Sequence, residues 1–125
     1  MLALRRAGFA LSVPFGENTR YDLIIDDGQT LGRVQCKTGR IRSGAIVWNV
    51  YSSYAHHRSA TLKQRDYQNE VDFFAVYCRE TASAYLVPIG DLPMLRQASL
   101  RVDPPRNGQR RFIRHAAQYE VGRVA

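Results

Sequence analysis

The stretch RYDLIIDDGQTLGRVQCKTGR, residues 20–40, holds the side chains best suited to chemistry on a phosphate. Asp22 offers a carboxylate to Mg²⁺, a hard cation that takes one or two carboxylates and keeps several waters. Gln35 could add a neutral carbonyl ligand, and the backbone carbonyl of Cys36 another. Lys37 could stabilise charge on a phosphate in the transition state, or steer the attacking water.

Two strands and a turn must position these groups. Residues 21–26 and 31–38 read as a β-hairpin whose connection contains Asp27-Gly28, a strong tight-turn signal. Residues two apart on a strand share a face, so Arg33, Gln35 and Lys37 go together. Leu23 and Ile25, then Val34 and Cys36, occupy the opposite face and read as core. If residues whose numbers sum to 57 lie opposite one another, Asp22 faces Gln35, Ile24 faces Arg33 and Arg20 faces Lys37. Facing residues point to the same side, with Cβ atoms about 5 Å apart. A carboxylate, an amide and an ammonium would then converge on one patch backed by a hydrophobic layer. The residues alone leave a plainer alternative open, a solvated hairpin face with Asp22 and Lys37 as a weak ion pair.

The whole chain sets the context. At 125 residues it is expected to form one domain, residues 1–125, and its 45% hydrophobic content argues against disorder. No apolar run approaches the ~20 residues of a membrane span, and residues 1–15 lack a long apolar core and a small-residue cleavage site. Cys36 and Cys78 lie in apolar strand-like runs and read as buried thiols of a cytoplasmic protein rather than as a disulfide. Eighteen basic residues, sixteen of them Arg, stand against eleven acidic ones for a formal charge of +7. Such a field attracts polyanions, and the planar fork of Arg suits phosphate. Biased base composition of a genome would enrich Arg as well.

Along the chain, residues 1–8 resemble the end of a helix with Gly8 as its cap. Strands are expected at 9–13, 45–51, 70–78, 84–88 and 100–102, the fourth of these pairing as a hairpin with 70–78. Residues 52–69 read as a long surface loop with interleaved basic and aromatic residues, the kind of loop that is usually functional or mobile. Residues 90–96 suggest a short helical turn, and residues 112–121 a short helix or strand.

Placed within its neighbours, the Asp22 … Gln35-Cys36-Lys37 constellation resembles the PD-(D/E)XK nuclease motif in its Gln-x-Lys variant. More narrowly, GENTRYDLIIDDGQTLGRVQCKTGR is similar to the group I intron-associated endonucleases of that family. The likeness continues through VWNVYSSYAHHR, YQNEVDFFAVYCRET, AYLVPIGDLP and RNGQRRFIRHAAQYE. It implies an α/β, restriction-endonuclease-like fold, a mixed β-sheet flanked by short helices in a single domain. It implies DNA cleavage with Mg²⁺, with Mn²⁺ as a substitute, by a homo-oligomer. Asp22 would be the metal-binding acid, Gln35 would stand where a second acid usually lies, and Lys37 would be the catalytic lysine. Family members usually begin with a longer helix carrying a glutamate; no acid precedes Glu17 here, so the expectation is that either the true start lies upstream or this helix is truncated. One acid would hold metal less tightly than two, which leaves a catalytically weak or inactive DNA-binding relative as the alternative reading.

Other residues complete the expectations. Arg20, Arg33, Arg40 and Arg42 form a candidate phosphate-contacting surface. His57 and Arg58, beside His56, could touch DNA, whereas adjacent histidines in a polar loop lack the spacing of a zinc site. Asp72 reads as a cap or hydrogen-bonding residue at the start of a central strand. Arg106, Arg110, Arg111 and Arg114 form a second basic cluster, either a DNA arm or a subunit contact. A protein-interaction module is the reading outside nucleic acids.

Overall fold

Among the described residues, apolar side chains at every second position build eight strands. The computed structural model describes residues 2–16, 21–50, 71–92, 97–103 and 114–123. In chain order the elements are helix α1 (Leu2–Arg6) and strands β1 (Ala10–Ser12), β2 (Leu23–Asp26), β3 (Leu31–Arg42), β4 (Ala45–Asn49), β5 (Phe73–Cys78), β6 (Ser83–Pro88), β7 (Gln97–Arg101) and β8 (Glu120–Arg123). Two 3-10 turns among the described residues, Ile89–Asp91 and Ala116–Gln118, join them. The main sheet runs β1-β2-β3-β5-β6-β8, while β4 pairs with β3 and β7 with β4. All neighbouring strands are antiparallel except β3 and β5, which are parallel from Val34↔Phe73 to Gly39↔Cys78.

The hairpin forms as its sequence suggests. Leu23↔Val34, Ile24↔Arg33, Ile25↔Gly32 and Asp26↔Leu31 all obey the sum of 57. Asp27 closes the turn by accepting the Gln29 and Thr30 amides at 2.8 Å each, and Gly28 takes the positive φ of 94° that the turn requires. These backbone bonds also hold the Asp27 carboxyl below its ordinary pKa. Helix α1 ends as expected too. Phe9 N–H reaches the Leu4 carbonyl at 3.2 Å and Gly8 N–H the Arg5 carbonyl at 3.1 Å, a Schellman pair with Gly8 at φ 103°.

Strand β3 differs from its expected length, running 12 residues to Arg42. Its last residues, Arg40–Arg42, find partners in Val47, Ile46 and Ala45 rather than turning away. The turn contracts to Ser43 and Gly44, both at positive φ, which matches the twist of an antiparallel pair. β3 therefore leaves the main sheet and carries β4 and β7 as a second layer. Gly39 sits where the layers meet. A Cβ there would lie 2.6 Å from Ile46 Cγ2 and 3.0 Å from Val76 Cγ1.

Two apolar clusters result, one on each side of the main sheet. Phe74, Val76, Cys78, Tyr85 and Val87 pack with Ile46, Trp48, Ala98 and Leu100 of the second layer. The Trp48 and Phe74 rings meet edge to face, centroids 6.2 Å apart at 75°, a contact type worth about 0.5–1.5 kcal/mol beyond area burial. On the other side Leu4 of α1 joins Leu23, Ile25 and Val34, with Phe73, Ala75, Leu86 and Val121 against them. Alternate residues of β5 and β6 thus feed different clusters, as the continuous apolar run at residues 70–78 foretells.

The expected loop at 52–69 lies outside the described residues, as do most of the 90–96 turn and residues 104–113. Residues 114–121 yield a 3-10 turn followed by β8 rather than a helix. Replacing Gly39 by Ala should lower stability by about 1–3 kcal/mol, since overpacking outweighs the ~0.4–1 kcal/mol that losing a glycine in the unfolded chain returns. Gly90→Ala, where an added Cβ meets nothing within 4 Å, should be neutral or mildly stabilising. Urea unfolding of the two variants side by side checks the contrast.

Candidate active site

The hairpin register holds down to Leu23 and then slips. Asp22 donates its N–H to the Val34 carbonyl at 2.8 Å, although Leu23 already stands opposite Val34. Two residues of one strand against one of the other is a β-bulge, a device that re-aims a side chain. Asp22 is therefore not seated across from Gln35 in the ladder. Its carboxylate turns along β3 instead, and Oδ2 accepts the Cys36 N–H at 2.8 Å. Asp22 brackets Gln35, bonded to the residue before it and the residue after it.

Within a strand a residue's N–H and C=O point to the same neighbour. The Cys36 carbonyl consequently aims toward the end of β2, where Asp22 sits. Among the described residues no group of three His, Cys, Asp or Glu could hold a metal. The donors available at Asp22, Cys36 and Gln35 are all oxygens, one carboxylate and two neutral carbonyls. This set suits a hard cation that keeps much of its water. The Cys36 bond uses one of the roughly four lone-pair sites of the Asp22 carboxylate.

Gln35 and Lys37 share the face of β3 that carries their β5 partners, Phe74 and Val76. Both are half-buried, so this face is not an open solvated surface. Phe74 is only 2% exposed, and the Lys37 Nζ lies 5.8 Å from its ring centroid, within reach of a cation–π attraction. The second layer built on β4 explains the cover, which a hairpin considered alone does not anticipate.

Cys36 departs from expectation. It is exposed, whereas Cys78 is buried as expected, and both thiols are free. Its side of β3 faces the short helix α1, where a cleft of about 250 Å³ opens between Ala3, Leu4, Thr38, Ala75 and Tyr77. A five-residue helix cannot cover the strand fully. Partial desolvation of the sulfur, then the negative charge of Asp22, push the thiol pKa up.

The arginines separate. Arg20 lies outside the described residues, as do His57, Arg58, Glu17, Arg106, Arg110 and Arg111. Arg40 and Arg42 are exposed, but strand alternation puts them on the face opposite Gln35 and Lys37. Arg40 lies near Glu80, whose carboxyl is held below its ordinary pKa first by the Ile41 amide. Arg114 is half-buried, its carbonyl taking the Arg101 N–H at the edge of β7. Of the three arginines on β3, Arg33 alone shares the face of Gln35.

Asp72 grips Arg33. Its Oδ2 accepts the Arg33 backbone N–H at 2.8 Å and Nε at 3.2 Å, and Oδ1 accepts Nη2 at 3.3 Å. The Asp72 N–H returns a bond to the Arg33 carbonyl at 2.9 Å. The Arg33 guanidinium is the largest reason that the Asp72 carboxyl lies below its usual pKa. No local pattern announces a pair separated by 39 positions; only the parallel alignment of β3 and β5 creates it.

A mixed, curled sheet with a few short helices, organised about a strand hairpin bearing an acid, an amide and a lysine, defines a restriction-endonuclease-like nuclease fold. The bacterial homing endonuclease I-Ssp6803I has a similar structure, with a TM-score of 0.63 and 20% sequence identity over 96% of this chain and 77% of that one. The Holliday junction resolvase Hjc of Archaeoglobus fulgidus also matches, at a TM-score of 0.45 and 13% identity over 80% and 82% of the two chains. A family model for the PD-(D/E)XK endonucleases matches residues 1–122. The chain belongs to that family, whose nucleases use divalent metals. No curated protein matches it.

The thiols offer a direct check on the site's geometry. A disulfide reagent should label one cysteine, Cys36, in the folded protein and both after unfolding. A raised pKa means less thiolate at neutral pH, so labelling of Cys36 should be slower than that of a free thiol and should accelerate with pH above about 8.5. Counting thiols released at pH 7 and pH 9, with Cys36→Ser as reference, tests both points.

Proposed function

We propose that this chain is a DNA endonuclease that hydrolyses phosphodiester bonds with Mg²⁺, with Mn²⁺ as a substitute. The observation that carries the reading is Asp22 at its bulge, bonded to both neighbours of Gln35 with Lys37 next on the strand. Asp22, the Gln35 side-chain oxygen and the Cys36 carbonyl would hold the ion. When bound, it would polarise a phosphate oxygen and lower the pKa of a water. Asp22 orients through its bond to Cys36. Lys37, half-buried over Phe74, places a positive charge in a partly desolvated setting, where it stabilises developing phosphate charge more than it could in water.

DNA is the proposed partner, supported by family membership, by the charge of +7 and by Arg33 on the catalytic face. Arg20, Arg40, Arg42, His57 and Arg58 are proposed as further DNA contacts. A homo-oligomer is proposed from the family resemblance. Among the described residues no helix is long and apolar enough to cross a membrane. The cytoplasm, where free thiols stay reduced, is the proposed setting.

Plasmid nicking by the pure protein should require Mg²⁺ or Mn²⁺ and stop with EDTA. Lys37→Ala and Asp22→Asn should each slow cleavage by about 100-fold or more while still shifting DNA in a gel. Undiminished cutting by Lys37→Ala would remove that residue from the site. A wild type that shifts DNA but never cuts would favour the inactive DNA-binding relative, for which the single acid in the site is the specific argument.

A further inference from the structure

We propose that Asp72 is a positioning residue for DNA binding, holding the Arg33 guanidinium on the Gln35–Lys37 face so that it meets a backbone phosphate. The proposal rests on the nuclease reading above. Arg33 stands two positions before Gln35 on β3 and opposite Ile24 of β2. Its side chain therefore projects from the same face as the candidate metal donors. Asp72 fixes that side chain at both Nε and Nη2, engaging two of the five N–H donors of a guanidinium.

Asp72 is itself held. Its N–H bonds the Arg33 carbonyl, and its carbonyl accepts the Ile89 N–H at 3.0 Å. The clamp thus ties β3 to the start of β5 and the end of β6. A long flexible arginine surrenders much rotamer freedom when it binds a ligand. Here Asp72 has already restricted it, and preorganisation of this kind lowers the entropic cost of binding. The two side chains remain 40% and 43% exposed, so a phosphate can approach the pair from solvent.

Simple Coulomb reasoning predicts the opposite of this role, which makes the two separable. An exposed aspartate beside a DNA surface repels phosphate, and removing its charge should tighten binding. A positioning aspartate behaves otherwise. Fluorescence anisotropy with a labelled duplex in EDTA, at one fixed salt concentration, should show Asp72→Asn binding about three- to tenfold more weakly than wild type, the range expected of a coupled pair. Arg33→Lys, which keeps the charge but loses the fork, should weaken binding similarly. The double variant should be no weaker than the worse single one. Circular dichroism melts of each variant confirm folding at the assay temperature.

Equal or tighter binding by Asp72→Asn, or fully additive losses in the double variant, would overturn the proposal. Should Asp72→Asn prove unfolded, Asp72→Glu retains the charge and alters only the geometry. Weakened binding by it supports positioning, and wild-type affinity refutes it. A wild type without salt-dependent DNA binding would overturn the nuclease reading itself, and this inference with it.

Discussion

Everything in this molecule hangs on β3 being paired along its whole length by three different strands. Leu31 to Val34 pair with β2, Val34 to Gly39 with β5, and Arg40 to Arg42 with β4. Unpaired backbone groups are costly when buried, so a 12-residue strand must find neighbours at every step or stop. β3 finds them by leaving one layer and entering another, with Gly39 at the crossing because no Cβ fits against Ile46 and Val76. The two apolar clusters, one beneath α1 and one beneath the β4–β7 layer, are consequences of that passage.

The candidate site occupies the point where β2 runs out and β3 continues. There the ladder no longer consumes the backbone groups of β3 that point toward β2. Asp22 meets one of them through its carboxylate, and the adjacent Cys36 carbonyl faces the same gap. Polar donors collect at a strand end because the ladder has ended, while the apolar layer below excludes water from one side. Lys37 gains its setting from the same arrangement, since Phe74 beneath it belongs to the parallel partner strand.

Local readings succeeded where local physics dominates. Asp27-Gly28 closes the hairpin through bonds within four residues, and Gly8 ends α1 through bonds within five. Leu23, Ile25 and Val34 are buried as period-two alternation says. Alternation could not show that the opposite face is covered as well, because the cover comes from residues 45–49 and 97–101. It also could not show the slip at Asp22, which needs only one amide to choose Val34. Cys36 looked like core by its neighbours in sequence, yet what covers a strand position is decided by the element laid over it, here a helix of five residues.

Legible in the order of residues alone were the hairpin, its register from Leu23 to Asp26, the apolar central strand and the candidate trio Asp22, Gln35 and Lys37. These depend on spacing, turn chemistry and side-chain type, all written within a few residues of one another. The bulge at Asp22, the exposure of Cys36, the separation of Arg33 from Arg40 and Arg42, and the Arg33–Asp72 clamp depend instead on the assembled sheet. Each of those arises from which strands come to lie side by side. Pairing partners 39 residues apart are chosen by the packing of the whole sheet, and no local pattern encodes that choice.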